Sequence, residues 1–212
     1  MTVQPLDARR ARGARTRAAV LDRAVELAAS DGLEGLTLSR LAAALHVSKS
    51  GLFAHWASKE QLQLAAIEHA RLQWATRVVG PALARPRGLP RLWALHEERL
   101  ALYAADASPG CFFVTVEAEL AGRPGPLRSR VAEVLTEWLE VVEGAASRSV
   151  ELGHLPAALD PALLAYEVEA AGVAAAYQSR LLDPGTVGAR ARAVVLTRLR
   201  SLATDVSLLP ES

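Results

Sequence analysis

Residues 37–62 read TLSRLAAALHVSKSGLFAHWASKEQL, from Thr37 to Leu62, and they decide the fold. Leu38, Leu41, Ala42 and Leu45 recur at helical spacing, and Thr37 is placed to cap that helix by accepting a bond from a first-turn amide. Ser48 is the cap of a second short helix, Lys49 to His55, anchored by Val47, Leu52 and Phe53. Ala42 and Ala44 let the two helices approach closely. Ser58, with Gln61 three residues on, opens a third helix through a capping box. Two short helices across a tight turn are the layout of a helix-turn-helix, whose second helix enters the DNA major groove.

Outward from this segment the chain reads as all-α. Its 212 residues suffice for one large or two small domains, and 51% are hydrophobic, dominated by Ala and Leu. Nine helices are predicted: Ala14–Ser30, closed by Asp31-Gly32; Thr37-capped to Leu45; Lys49–His55; from Ser58 to Val79, stopped by Gly80-Pro81; then Pro90–Ala105, Gly110–Ala121, Pro126–Leu152, Pro161–Leu182 and Thr186–Leu208. The apolar run Cys111–Val116 reads equally as strand or buried helix. The organisation expected is a DNA-binding domain over residues 1–58 and a second helical domain over 59–212.

Charge is close to balanced, at +1 overall, but unevenly spread. Arg9, Arg10, Arg12, Arg15 and Arg17 face only Asp7 in the first twenty residues. A basic arm reaching phosphate fits this better than an organellar transit peptide, because helical patterning starts at once. Lys49 and Lys59 are the chain's two lysines, and both lie in the helix-turn-helix segment. No apolar run is long enough for a membrane span, and the single cysteine fits a cytoplasmic protein.

The exposed face of the second helix would carry Ser48, Lys49, Ser50, Gly51, Ala54 and His55. Short side chains let such a helix sink into the groove, where Lys49 can bond guanine or a phosphate and the hydroxyls can bond base or backbone. Thr37, Ser39, Arg40 and Lys59 are placed for phosphates. In order, the chain offers Asp31-Gly32, Thr37 with Leu41-Ala42, Val47-Ser48, Leu52-Phe53, His55-Trp56 and Ser58-Lys59-Glu60 with Leu62. This succession resembles the N-terminal domain of TetR-family transcriptional repressors. The resemblance covers about residues 15–64 and implies that Ser39, Lys49, Ser50, Gly51, Phe53, His55 and Lys59 face DNA. Phe53 stands where the family usually has Tyr, so a hydroxyl contact to phosphate is missing. Trp56 replaces the usual Phe as an anchor.

Beyond residue 64 the resemblance is one of architecture. It implies a homodimer through the last two long helices, where Ala165, Ala170, Ala171, Gly172, Ala174, Ala175 and Ala176 would allow close approach to Leu196, Leu199 and Leu202. It also implies a small-molecule effector, expected to be largely apolar. Candidate pocket residues are Trp93, Tyr103, Cys111, Phe112, Phe113, Glu117, Trp138, Tyr166 and Tyr177, which combine aromatic walls with a few polar handles. Glu117 and Glu119 stand out, since a carboxylate in an apolar run needs a partner. Cys111 lacks the neighbouring basic groups of a redox sensor.

Two other function classes are weaker. An enzyme lacks support: the five histidines show no metal-ligand spacing, and no nucleophile elbow, phosphate loop or dinucleotide fingerprint occurs. No cofactor is expected. A DNA-binding architectural or activating protein without a ligand remains the alternative to a ligand-responsive repressor acting on a palindromic operator.

Overall fold

The computed structural model describes residues 5–48, 52, 55–105 and 111–211, with backbone alone for 5–15 and 105. Eight helices, α1 to α8, run through the described residues, and no strand occurs among them. The ninth expected helix, Lys49–His55, falls mostly outside the described residues.

Helix α1 spans Pro5–Asp31 and starts a good two turns before the predicted Ala14. Pro5 suits a first helical position, and the Arg/Ala-rich segment that follows has high helix propensity. The helix ends as anticipated at Gly32, whose φ of 74° lets its N–H reach the Ala28 carbonyl at 2.9 Å. Helix α2, Leu38–Leu45, is capped by Thr37, whose hydroxyl accepts the Arg40 N–H at 3.1 Å. It ends at His46, the one non-glycine described residue with positive φ (55°). His46 N–H bonds the Ala43 carbonyl and Val47 N–H bonds that of Ala42, a Schellman closure built without glycine. Val47, expected as an anchor, is instead exposed: the closure swings it over the helix end rather than into the core. Leu52 and Trp56 are the buried anchors, at 3% and 2% exposure.

Helix α3, Lys59–Trp74, continues through a π turn, Ala75–Val79, into a last turn, Gly80–Leu83. Gly80-Pro81 therefore does not stop it. The wide turn bonds Gly80 N–H to the Ala75 carbonyl, five residues back, just where Pro81 has no N–H to offer. Helices α4 (Leu89–Ala105), α5 (Phe112–Leu120), α6 (Pro126–Glu151), α7 (Pro161–Gln178) and α8 (Pro184–Leu202) follow. The ambiguous run after Cys111 is thus helical. Asp160 and Asp183 cap α7 and α8 by accepting first-turn amides. Helix α7 stops short of the predicted Leu182, and α8 stops at Leu202 rather than Leu208. Ala203 turns extended, and Asp205 caps a separate 3-10 turn, Val206–Leu208.

Two large apolar clusters organise the described residues, with a small third one around Ala175, Val187 and Ala191. One joins α1, α2, Leu52, Trp56 and the first half of α3 to Phe112, Val116 and Leu120 of α5 and the start of α6. The other packs α4, the middle of α6, α7 and α8 around Trp93, Val142, Leu164 and Leu199. Helix α5 thus belongs to the core of the N-terminal head although Phe112 lies more than fifty residues beyond Trp56 in sequence. No helix among the described residues is long and apolar enough to cross a membrane.

Candidate functional site

The N-terminal head presents a row of polar side chains at the start of α2 and α3. Ser39 and Arg40 are exposed on the first turn of α2, with Thr37 half-buried at its cap. The Arg40 guanidinium forms an ion pair with Asp31 and reaches the Gly35 carbonyl at 3.5 Å. Ser48 and His55 are exposed, and the His55 ring lies 5.6 Å from that of Trp56. At the start of α3, Ser58 accepts the Gln61 N–H at 3.1 Å, while the Gln61 side chain accepts the Ala57 N–H at 3.0 Å. The reciprocal box forms one residue earlier than the usual pattern. Lys49, Ser50, Gly51 and Phe53 lie outside the described residues.

Lys59 has a partner that local sequence did not suggest. Its ammonium donates to the Glu34 carbonyl at 2.8 Å and to the Glu34 carboxylate at 2.9 Å. The hydrogen bond and charge of Lys59 hold the Glu34 carboxyl below its usual range. Glu34 sits in the turn between α1 and α2, so this pair ties that turn to α3.

Helix α5 grips the same turn from the other side. The Glu119 carboxylate accepts the N–H of Leu33 at 2.6 Å and of Glu34 at 2.8 Å, and Thr115 donates its hydroxyl to the Ala29 carbonyl at 2.9 Å. Gln63 of α3 closes the joint by donating to the Leu33 carbonyl at 2.5 Å. Gly32 suits this place on two counts: its φ of 74° is one that L side chains rarely adopt, and a Cβ there would press on the Glu119 carboxylate.

The opposite face of α5 forms the wall of a cavity of about 190 Å³ between α3, α4, α6 and α7. Its aromatic lining is Trp74, Tyr103, Phe113 and Trp138; Trp74 meets Trp138 edge-on at 5.1 Å and Phe113 edge-on at 6.1 Å. Arg99 enters this box from α4 and pairs with both oxygens of Glu169, at 2.6 and 3.1 Å. Its Nε donates to the Tyr103 hydroxyl at 2.7 Å, and Trp138 Nε1 donates to Glu169 at 2.6 Å. The guanidinium also lies 5.7–5.8 Å from the ring centres of Trp74, Tyr103 and Trp138. Gly172 makes room for it, because a Cβ at 172 would fall 2.2 Å from the guanidinium. Burial pushes the Tyr103 phenol and the Cys111 thiol above their usual ranges, and it raises the Glu117 carboxyl to about 7.

A wider cleft of about 830 Å³ opens next to this cavity, between α1, α3 and α5, and shares Trp74, Tyr103, Cys111 and Phe113 with it. Of the pocket residues expected from sequence, Tyr103, Cys111, Phe113, Glu117 and Trp138 line the inner cavity, and Phe112 lines the cleft. Trp93, Tyr166 and Tyr177 line neither. Trp93 is buried in the second core under the Arg192 guanidinium, 5.2 Å from its ring, while Tyr166 and Tyr177 are exposed on α7. Sequence reasoning missed Trp74, Arg99 and Glu169. The signal available for Arg99 was its position: Leu92, Leu95, His96, Arg99 and Tyr103 share one face of α4, so the arginine lies on the buried side. No group of three or more His, Cys, Asp or Glu placed to hold a metal ion occurs among the described residues.

Residues 20–66 match the family model described as bacterial regulatory proteins, tetR family. Residues 88–195 match that of the tetracyclin repressor-like C-terminal domain. No curated protein matches the sequence. Among solved structures, the fold is shared with a TetR transcriptional regulator from Chloroflexus aurantiacus at 24% identity and a TM-score of 0.83, covering 91% of this chain and 98% of that one. It is also shared with FadR of Bacillus subtilis in complex with stearoyl-CoA, at 17% identity, TM-score 0.67 and coverage of 83% and 95%. AibR in complex with isovaleryl coenzyme A and operator DNA aligns at 20% identity, TM-score 0.66 and coverage of 87% and 96%. With a reading head built on Thr37 and Ser58 caps and a helical C-terminal half matched over most of its length, the chain belongs to the TetR family of DNA-binding transcriptional regulators.

Proposed function

We propose that this regulator is a ligand-responsive repressor that binds a palindromic operator as a homodimer and leaves it when a small molecule fills the cavity behind α5. The observation that carries this reading is the double duty of α5. Phe113 and Glu117 wall the cavity, while Thr115 and Glu119, on its other side, hold the end of α1 and the α1–α2 turn. A ligand pressing on Phe113 shifts the helix that fixes the reading head, and Trp74 passes the same push to α3. The ligand needs only a differential affinity for the two head positions, typically ~1–3 kcal/mol. Two structural relatives were solved with acyl-CoA molecules, one of them also with operator DNA, which supports an effector role for the C-terminal half.

Residues 1–58 serve as the head and 59–212 as the effector and dimer portion. Dimerisation uses α7 and α8. Leu163, Tyr166, Ala170, Ala174 and Tyr177 form an exposed stripe at helical spacing on α7, and Val194 is exposed on α8. The inner faces of both helices are already committed to the core. The stripe gives Tyr166 and Tyr177 a role at the two-fold interface rather than in the cavity. Lys49, Ser50 and Gly51 read bases; Thr37, Ser39, Arg40 and Lys59 face phosphates, with Ser48, Phe53 and His55 beside them. The protein acts in the cytoplasm and catalyses no reaction.

The test is operator release. Compounds that quench the fluorescence of Trp74 and Trp138 should also dissociate a selected operator; compounds that fill the cavity and leave the DNA bound would refute the reading.

A further inference from the structure

The cavity behind α5 holds one acid that the fold leaves without a partner. Arg99, Glu169, Tyr103 and Trp138 form a closed set in which every charged group is answered. Glu137, at the rim, pairs with Arg71 at 3.4 Å and with Arg130 at 3.3 Å. Glu117 lines the same cavity and makes no hydrogen bond or ion pair with any described residue. Its carboxyl is pushed up to about 7, first by burial and then by the neighbouring charge of Glu169, with Arg99 pulling the other way. Glu117 is half-buried, and a carboxyl partly withdrawn from water and left unanswered gains from a donor that arrives with the ligand.

Three features then define that ligand. The unmatched charge of the lining is negative, because Arg99 is already spent on Glu169. The walls are the rings of Trp74, Phe113 and Trp138. The space, about 190 Å³, suits one aromatic ring on a short chain. We infer that the effector of this cavity is a small aryl-alkyl amine, its ring seated among Trp74, Phe113 and Trp138 and its ammonium donating to the carboxylate of Glu117. The inference rests on the reading of this cavity as the effector site. A neutral amine takes the proton of the carboxylic acid on entry, and a protonated one displaces it to solvent, so the bound state is an ammonium–carboxylate pair in either case.

Three probes with one body and different heads test this on the full chain: 4-phenylbutylamine, 4-phenylbutan-1-ol and 4-phenylbutyrate, titrated by tryptophan fluorescence and calorimetry. The amine should bind at least about tenfold tighter than the alcohol, the size of effect that one charge-assisted bond out of water supplies. Glu117→Gln should bring the amine down to the affinity of the alcohol, with unchanged far-UV circular dichroism showing that the variant is folded. In the wild type the head-group comparison decides without any variant. Equal binding of alcohol and amine, preference for the carboxylate, a preference that survives Glu117→Gln, or no binding of the amine at millimolar concentration would each overturn the inference. Probes that bind without favouring the amine sink the amine alone and leave the cavity as effector site. An amine bound through Glu117 that never releases operator sinks the effector reading alone.

Discussion

The Glu119 carboxylate accepts the backbone N–H of Leu33 at 2.6 Å, joining a helix of the C-terminal half to the turn that sets the reading head. The same carboxylate takes the Glu34 N–H, so it answers two N–H groups of the turn that follows α1. Glu119→Ala should cost about 2 kcal/mol in urea unfolding, the usual scale for losing charge-assisted bonds to amides. It should also leave operator binding less sensitive to cavity ligands. Gly32→Ala should be at least as harmful, since it adds a Cβ at positive φ and drives it into Glu119. A Glu119→Ala protein with unchanged stability and full ligand response would show that this joint transmits nothing.

Gly172 and Arg99 should behave as one unit. Arg99 is nearly sealed from water and ion-paired, so Arg99→Ala strands Glu169 and should cost about 3–5 kcal/mol. Gly172→Ala displaces the guanidinium and should cost a large part of the same energy. In the double variant the two costs should overlap by more than about 1 kcal/mol, whereas independent sites would simply add. Denaturation midpoints of the four proteins give the answer.

Acid stability should expose two opposed groups. Burial pulls the His96 imidazole down to about 4, its ring reaching the Ala191 carbonyl at 3.2 Å. The unfolded chain takes up that proton near 6.5, so His96 lowers stability progressively from pH 6.5 to about 4, by up to about 3 kcal/mol. Glu117 works the other way: its raised folded pKa, about 7, contributes stability that is full below about 4.5 and lost as pH rises through 7. The charged and titrating neighbours of Glu117 are Arg99 and Glu169, with Tyr103 and Cys111 holding their protons through this range. Relative to wild type, Glu117→Gln should lose stability more steeply on acidification from pH 7 to 5, and His96→Leu should gain it. Parallel curves for all three proteins would contradict the assignment.

How much of this was legible in the chain follows from the range of each interaction. Thr37 and Ser58 cap helices through bonds three residues long, and Gly32 closes α1 through one of four, so local sequence announces all of them. The opposed facing of Glu117 and Glu119 also follows from helical spacing, since two residues apart on a helix never share a side. Other features depend on distant partners. Lys59 finds Glu34 twenty-five positions away, and Arg99 finds Glu169 seventy away; neither pair has a local signature. Tyr166 and Tyr177 were expected in the pocket because aromatics suit one. Their helix turns them outward, since the opposite face of α7 is filled by Leu164, Val168 and Ala175. Gly80-Pro81 read as a stop, and a π turn carried the helix past it.

Lys49 and Lys59 should differ in DNA binding. Lys49→Ala should relax sequence preference by about 1–3 kcal/mol at one base pair, as loss of a base contact does. Lys59→Ala should weaken all sites alike and flatten the salt slope by about one. Because Lys59 is shared with Glu34, Glu34→Gln should strengthen binding at every site. Binding isotherms at three salt concentrations on matched and mismatched DNA separate these outcomes, and identical behaviour of the two lysine variants would erase the distinction.

The most direct measurement for the account as a whole is selection of DNA by the purified protein from a random library, repeated with the cavity occupied. The account predicts an inverted repeat whose half-sites are centred about 34 Å apart, one turn of DNA. Recovery of that repeat should fall when a cavity ligand is present. Binding without a consensus, governed by salt alone, or a consensus recovered equally well with the cavity filled, would contradict it.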